Sequence, residues 1–272
     1  MSKVISPGAS ASVADHLILR LRAPLMSFGG VKVDDTSPTE QFPSTSLIAG
    51  LIANALGFSH HEFEQTQRLQ QRIQMASRQD VPGQVMIDYQ TVDLGSEKMR
   101  LPGWTTFGEV EERDGSVKEG THQMWVQYIA DGSVTVVFNL ARKIEPDDPS
   151  LQDIAEAFLR PARTLFIGKK SCIPSEPMLL GAAKGTDVLD VMKKVPYHHL
   201  SPVIGRVFAQ WPLHLGAELD HRIVEVHGSK DWKNQVHVGS TRVRQGYIPV
   251  VPSWEDMAWT KRADINRFFG GM

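Results

Sequence analysis

The chain has 272 residues, enough for two domains or one domain with a large subdomain, and its 22% charged residues argue against global disorder. A formal net charge of −2 argues against a free-standing, non-specific nucleic-acid binder, although it leaves room for a local basic stripe. The single cysteine, Cys172, excludes an internal disulfide and a thiolate zinc site, and disfavours secretion.

Residues 1–15 are read as a disordered or extended tail, Ser/Ala-rich and without the apolar core of a signal peptide. His16–Arg22 alternates and predicts a strand, with Leu17, Leu19 and Leu21 on one face and Ile18, Arg20 and Arg22 on the other. Phe28-Gly29-Gly30 follows as a loop. Ser46–Phe58 predicts a buried helix, with Ser44 or Thr45 as N-cap and Gly57 as stop signal. Within it, Leu47–Phe58 is the longest apolar stretch, interrupted by Asn54 and too short to cross a bilayer, so the protein is expected to be cytoplasmic, with no membrane partner.

A polar helix is predicted over about Glu62–Arg72, then strands at Ile73–Arg78 and Val85–Val92. The long polar stretch Asp93–His122 is expected to protrude, with a hairpin at its centre turning at Asp114-Gly115. Gln123–Ile129 and Ser133–Leu140, joined by Asp131-Gly132, predict a second hairpin. Asp148-Pro149 reads as N-cap and first position of a helix ending before Pro161. Short β-type runs follow at Val203–Phe208, Arg222–Val226, Gln235–Val238 and Tyr247–Val251. The expected fold is therefore α+β: a modified ferredoxin-like, RRM-type domain over 16–200 with an inserted hairpin at about 93–122, and a smaller, mostly β C-terminal part over 201–272.

Several chemistries lack their sequence pattern. Gly168-Lys169-Lys170-Ser171 is no Walker A loop: Arg163 stands where its first glycine is needed, and Lys170 separates Lys169 from Ser171. The adjacent pairs His60-His61 and His198-His199 cannot put both rings on one helix face, and the other histidines show no ligand spacing. No metal or cofactor is expected. The basic residues, in contrast, cluster. Arg160, Arg163, Lys169 and Lys170 fall together with no acidic residue among them, and Arg242 and Arg244 alternate along a predicted strand. Such a cluster reads equally as a solvated helix end or as a phosphate site. Phe28, Trp104 and Phe107 are loop aromatics open to base stacking or to local packing.

Leu17–Gly29, Thr39–Gly57, Thr121–Asp131 and above all Pro161–Pro174 with Met178–Gly181 resemble motifs of the CasD family, the fifth Cas family in its type I-E form. The resemblance spans about Leu17–Gly181; Ser37 and Thr45 stand where the family often carries a basic residue, and Trp254–Met272 has no counterpart. It implies a RAMP-type fold with a thumb hairpin and a non-catalytic role in a Cascade surveillance complex. There the subunit would hold the 5′ handle of the CRISPR RNA (crRNA), between a CasC-type backbone subunit and a CasA-type large subunit, with target DNA an indirect partner. The implied RNA-binding positions are Arg20, Ser27, Phe28, Gly29, Gly30, Ser44, Thr45, Arg163, Gly168, Lys169, Lys170, Ser171, Arg242 and Arg244, with Trp104, Phe107, Arg113 and Lys118 in the thumb. The alternative is a metal-independent endoribonuclease acting on repeat RNA. The Lys-His pair implied for such relatives is absent, and the four tyrosines lie outside the first helix.

Overall fold

Alternation in the first strand decides how the molecule is layered. The computed structural model describes residues 14–93, 103–104, 109–111, 121–197, 205–249 and 259–270. Strand β1 (Ala14–Arg22) starts two residues before the predicted one. Its Leu17, Leu19 and Leu21 pack with Ile48 and Ile52 of helix α1 (Thr45–Leu56) and with Ile154 and Phe158 of helix α3 (Leu151–Leu159). Ile18 points the other way, onto Val188, Val191 and Met192 of α4 (Val188–Lys194). A strand of period two thus builds two cores, one on each face of the sheet.

Strand β1 pairs antiparallel with β9 (Ser133–Leu140) on one side and β10 (Leu179–Gly185) on the other. Strand β4 (Ile73–Val81), reached through helix α2 (Phe63–Arg72), pairs with β9. The central order is β4-β9-β1-β10, with helices following the first and third strands in the chain.

Strands of the C-terminal region, expected as a smaller, mostly β part, join this same sheet. Strand β11 (Arg206–Pro212) pairs with β4, β15 (Thr241–Pro249) with β11, and β12 (His221–Val226) with β15, while β16 (Trp259–Lys261) closes the opposite edge against β10. Strands β13 (Lys230–Asp231) and β14 (Val236–His237) form a small hairpin of their own.

The predicted hairpin across Asp131-Gly132 does not form. Strand β8 (Thr121–Ala130) pairs with β5 (Gln84–Asp93) over ten positions and with short β2 (Leu25–Met26) and β3 (Thr36–Ser37), in a second sheet, while β9 stays in the first. Asp131, at φ 53°, turns the chain from one sheet into the other, its N–H donating to Pro24 O. The excursion therefore begins at Gln84. Beyond it, β6 (Gly103–Trp104) pairs with β7 (Val110–Glu111), which places Trp104 in a strand pair. Phe107, Arg113 and Lys118, like most of the expected thumb, lie outside the described residues.

Buried ion pairs tie the helices down. Arg78, wholly buried on the α4 face, donates to Asp80 at 2.7 Å, to Met192 O and Val195 O at 3.2 and 2.7 Å, and to Pro196 O at 3.0 Å. It thereby satisfies carbonyls at the C-terminus of α4 that have no helical partner. Asp148 is not the cap of α3. Ser150 caps it, accepting from Asp153 N–H at 3.2 Å in a capping box, because the Asp148 carboxylate is engaged elsewhere. It accepts from Arg68 at 2.8 Å and from the N–H groups of Ile144 and Glu145 at 2.9 and 3.1 Å, fastening α2 to the connection before α3.

Burial alone would raise the Asp148 carboxyl; the hydrogen bonds from Arg68 and from the Glu145 and Ile144 N–H groups outweigh it and hold it below the usual carboxylate range. Asp148→Asn should lower stability at neutral pH by roughly 1.5–3 kcal/mol, read from urea unfolding. A depressed folded-state pKa stabilises above the unfolded value, so wild type should lose this advantage as pH falls below about 4, with the two curves converging.

Candidate nucleic-acid interface

The segment after α3 is shaped by α1. Ala162 N–H donates to Ala55 O at 2.9 Å, Asn54 Nδ2 donates to Thr164 O at 2.9 Å, and Arg163 donates to Phe58 O and Gly57 O at 2.7 and 2.8 Å. Arg163, expected as a phosphate contact, borders the groove described below but satisfies the carbonyls at the end of α1. Ile167 is buried, and its N–H donates to Cys172 O at 2.8 Å while Cys172 N–H donates to Lys169 O at 2.8 Å, closing a tight loop over Gly168-Lys169-Lys170-Ser171.

That loop docks on the turn after β2. Ser27 N–H donates to Ile167 O at 3.1 Å, and Gly168, at φ +88°, lies so close that a Cβ there would stand 1.7 Å from Ser27 O. Only glycine fits. The turn itself is pinned by Phe28 N–H to Thr39 Oγ1 at 3.0 Å and Glu40 N–H to Gly29 O at 2.8 Å, with Gly30 against Pro38. Phe28 is 2% exposed and belongs to the core, so its ring is not available for stacking.

Ser44 caps α1, accepting from Leu47 N–H at 3.1 Å. Ser46 N–H donates to Gly228 O at 3.0 Å, so two of the helix's first N–H groups are engaged internally, leaving a poorer phosphate site than expected around Ser44 and Thr45.

Loop, turn and helix enclose a groove of about 980 Å³. Ser27, Gly29, Ser44, Gly168, Lys169 and Lys170 all line it, together with His60, His61 and His237. Lys169 Nζ sits 4.8 Å from the centroid of the Tyr128 ring, and burial lowers its pKa against the raising effect of Cys172 and Asp88. Lys170 and Ser171 are exposed.

The fourth wall was not foreseen. It is the β13–β14 hairpin, held by Gln70, which donates to Lys230 O at 3.0 Å and accepts from Trp232 Nε1 at 3.0 Å. The Trp232 ring fits only because residue 50 is glycine: a Cβ there would meet it at 2.8 Å. Lys230 Nζ lies 4.8 Å from the Trp232 ring centroid and 2.7 Å from Gln235 Oε1, with its pKa lowered by burial. A signal was present in Asp231-Trp-Lys-Asn234, an Asx turn in which Asp231 accepts from the Lys233 and Asn234 N–H groups. Arg163, Lys169, Lys170 and Lys230 face the groove, and no carboxylate lines it among the described residues.

Three other expected positions lie elsewhere. Arg20 is 3% exposed on the α4 face, its nearest carboxylate Glu176 at 4.0 Å, so it cannot meet RNA at the surface. Arg244 donates to Leu213 O at 2.8 Å and contacts His221, and Arg242 stands opposite Glu225 in the β15–β12 register; neither lines the groove.

Gly168→Ala should destabilise the protein by more than about 2 kcal/mol, since the left-handed backbone and the Ser27 clash add. A thermal shift near zero would show that the loop can leave the turn at no cost.

Over 172 residues, 63% of this chain and 73% of the relative, the sequence is 28% identical to the CRISPR system Cascade subunit CasD of Escherichia coli (strain K12). Among solved structures, a chain of a CRISPR RNA-guided surveillance complex superposes with a TM-score of 0.59 at 21% identity, covering 93% of this chain and 98% of that one. A crystal structure of a Cas protein superposes with a TM-score of 0.50 at 18% identity, over 88% and 98% of the two chains. These two likenesses concern the fold. The profile of the CRISPR-associated protein (Cas_Cas5) family matches residues 16–250, and the chain belongs to that family.

Proposed function

We propose that this protein is a non-catalytic subunit of a type I-E Cascade surveillance complex, and that its groove holds and caps the 5′ handle of crRNA. The carrying observation is the groove itself: Lys169, Lys170 and Lys230 line it beside Arg163, whose guanidinium bonds the carbonyls ending α1, no carboxylate lines it among the described residues, and its floor is a loop whose glycine lets backbone approach backbone. Phosphodiesters are the polyanions that suit such a surface, and a single strand threads it more readily than a duplex. In this reading Lys170, exposed at the loop's tip, contacts phosphate directly, while Lys169 is positioned by Tyr128 and Lys230 by Trp232. Gly29 and Ser171 contribute backbone and hydroxyl contacts, whereas Ser27, expected as a contact, is 1% exposed with its N–H bonded to Ile167 O and holds the turn in place.

The name of the Escherichia coli relative supports placement in Cascade. The fold supports it too: β4-β9-β1-β10 with its crossing helices has the strand order of a ferredoxin-like, RRM-type unit, here of RAMP type and widened by C-terminal strands. The β5–β8 ribbon would be the base of the thumb. A CasC-type backbone subunit and a CasA-type large subunit would flank the handle, with guide pairing reading the target DNA. No described helix is long and apolar enough to cross a membrane, in keeping with such a role.

Lys170→Glu should weaken retention of crRNA in the reconstituted complex and flatten the log–log salt dependence by about 0.7, the value of one single-strand phosphate contact. Lys169→Glu should do less to the slope. Unchanged affinity and slope for both would remove the site. In the same preparations repeat RNA should stay intact; cutting at one phosphodiester, abolished by His60→Ala or His61→Ala, would establish the endoribonuclease reading instead.

A further inference from the structure

Beyond β4, the sheet carries aromatic rings that the groove does not use. Phe208 of β11 and Tyr247 of β15 stand opposite one another in register, with ring centroids 5.4 Å apart. They lie on the face away from α4, because Ala209 and Trp211, their alternating neighbours, are the residues packed in the α4 core. Tyr247 is 55% exposed. Phe208 is half-buried and rests on buried Phe42 at 5.6 Å, which fixes its ring from below.

The surround is polar. The Arg222 guanidinium of β12 lies 5.9 Å from the Phe208 centroid and donates to Gln245 Oε1 at 3.0 Å, and Gln245 Nε2 donates to Gln210 Oε1 at 2.9 Å. A guanidinium and side-chain amides thus stand beside the two rings.

We infer that this face is a stacking platform for unpaired bases of the same RNA strand that occupies the groove. A nucleobase offers a π-face to Tyr247 and Phe208 and a hydrogen-bonding edge to exposed Arg222, which an apolar protein surface would leave poorly matched; Gln245, 6% exposed, is satisfied by Arg222 and Gln210 and holds the guanidinium in place. The platform also adjoins the groove: Phe42, beneath Phe208, is two residues from Ser44, which lines the groove, and Gln79 Nε2 holds Gln41 O at 3.2 Å. The inference rests on the groove reading, since it takes the strand from there.

The test uses the full chain in the reconstituted complex with single-stranded RNA carrying 4-thiouridine. Crosslinks are expected at Tyr247 or Phe208. Tyr247→Leu should weaken RNA binding about tenfold with an unchanged salt slope, as loss of one stacked base does, and Tyr247→Phe should restore it. RNA with abasic sites at the crosslinking positions should bind wild type and Tyr247→Leu equally. Wild-type affinity in Tyr247→Leu, with Lys170→Glu still weakened, would overturn the platform and leave the groove standing. Loss in Tyr247→Leu alone, with Lys170→Glu unaffected, would overturn the groove reading instead. Protection of β15 from hydrogen exchange by protein subunits without RNA would assign the face to a protein partner and overturn the platform.

Discussion

The contact between Ser27 and Gly168 organises the basic face of this protein. Two backbone segments about 140 positions apart in the chain meet where no side chain can stand between them, and the Ser27 N–H to Ile167 O bond locks the approach. Without it, Lys169 and Lys170 would sit on a solvated loop whose ordering each bound phosphate would have to offset. With it, the loop is fixed before any ligand arrives. The lysines then project from a rigid base beside the turn that carries Gly29, and the helix-ending contacts of Arg163 hold the other end of the same segment.

Cations divide by chemical type. The guanidiniums of Arg163 and Arg244 find backbone carbonyls, and that of Arg78 finds both a carboxylate and carbonyls. A planar fork with five donors suits that work, and weaker hydration makes its burial less costly than that of an ammonium. Lysines lack the fork. Lys169 and Lys230 keep their ammonium groups over aromatic rings at the groove wall, and Lys170 keeps its own in water. A basic cluster in a sequence mixes these two populations, and only tertiary context separates them. The sequence marks the cluster around Gly168 but not this division: Lys169 and Lys170 line the groove, Arg163 and Arg244 bond backbone carbonyls, and Arg20 is buried.

Local pattern was read well wherever period and caps sufficed. The alternation of β1, the Ser44 cap and Gly57 stop of α1, and the extent of β9 follow from residues within a few positions of one another. Pairing was harder. Asp131-Gly132 has the chemistry of a hairpin turn, yet β8 finds its partner well upstream in β5, and one residue in the left-handed region sends the chain into another sheet. Strand β10 escaped notice because Leu-Leu-Gly-Ala-Ala-Lys-Gly has little β propensity; its two alanines are wholly buried between β1 and β16, where small size is what matters. The C-terminal strands were legible as strands, but not as neighbours of β4, because the register of Ala209 with Arg78 has no local signature.

The same C-terminal region changes how the groove should be understood. The segment bearing the family motifs supplies the floor: the turn, the loop and one end of α1. The wall comes from residues 228–237, drawn over α1 by two contacts, Ser46 N–H to Gly228 O and the Trp232 ring above Gly50. Helix α1 is thus an apolar core element on one side and a docking rail on the other, and its Gly50 answers to the second role. A methyl group at position 50 would lift Trp232, move Lys230 with it, and widen the groove while leaving every floor residue in place. Floor and wall are therefore separable: in the proposed reading the floor would set where a backbone phosphate rests, and the hairpin would set how closely the strand beside it is enclosed.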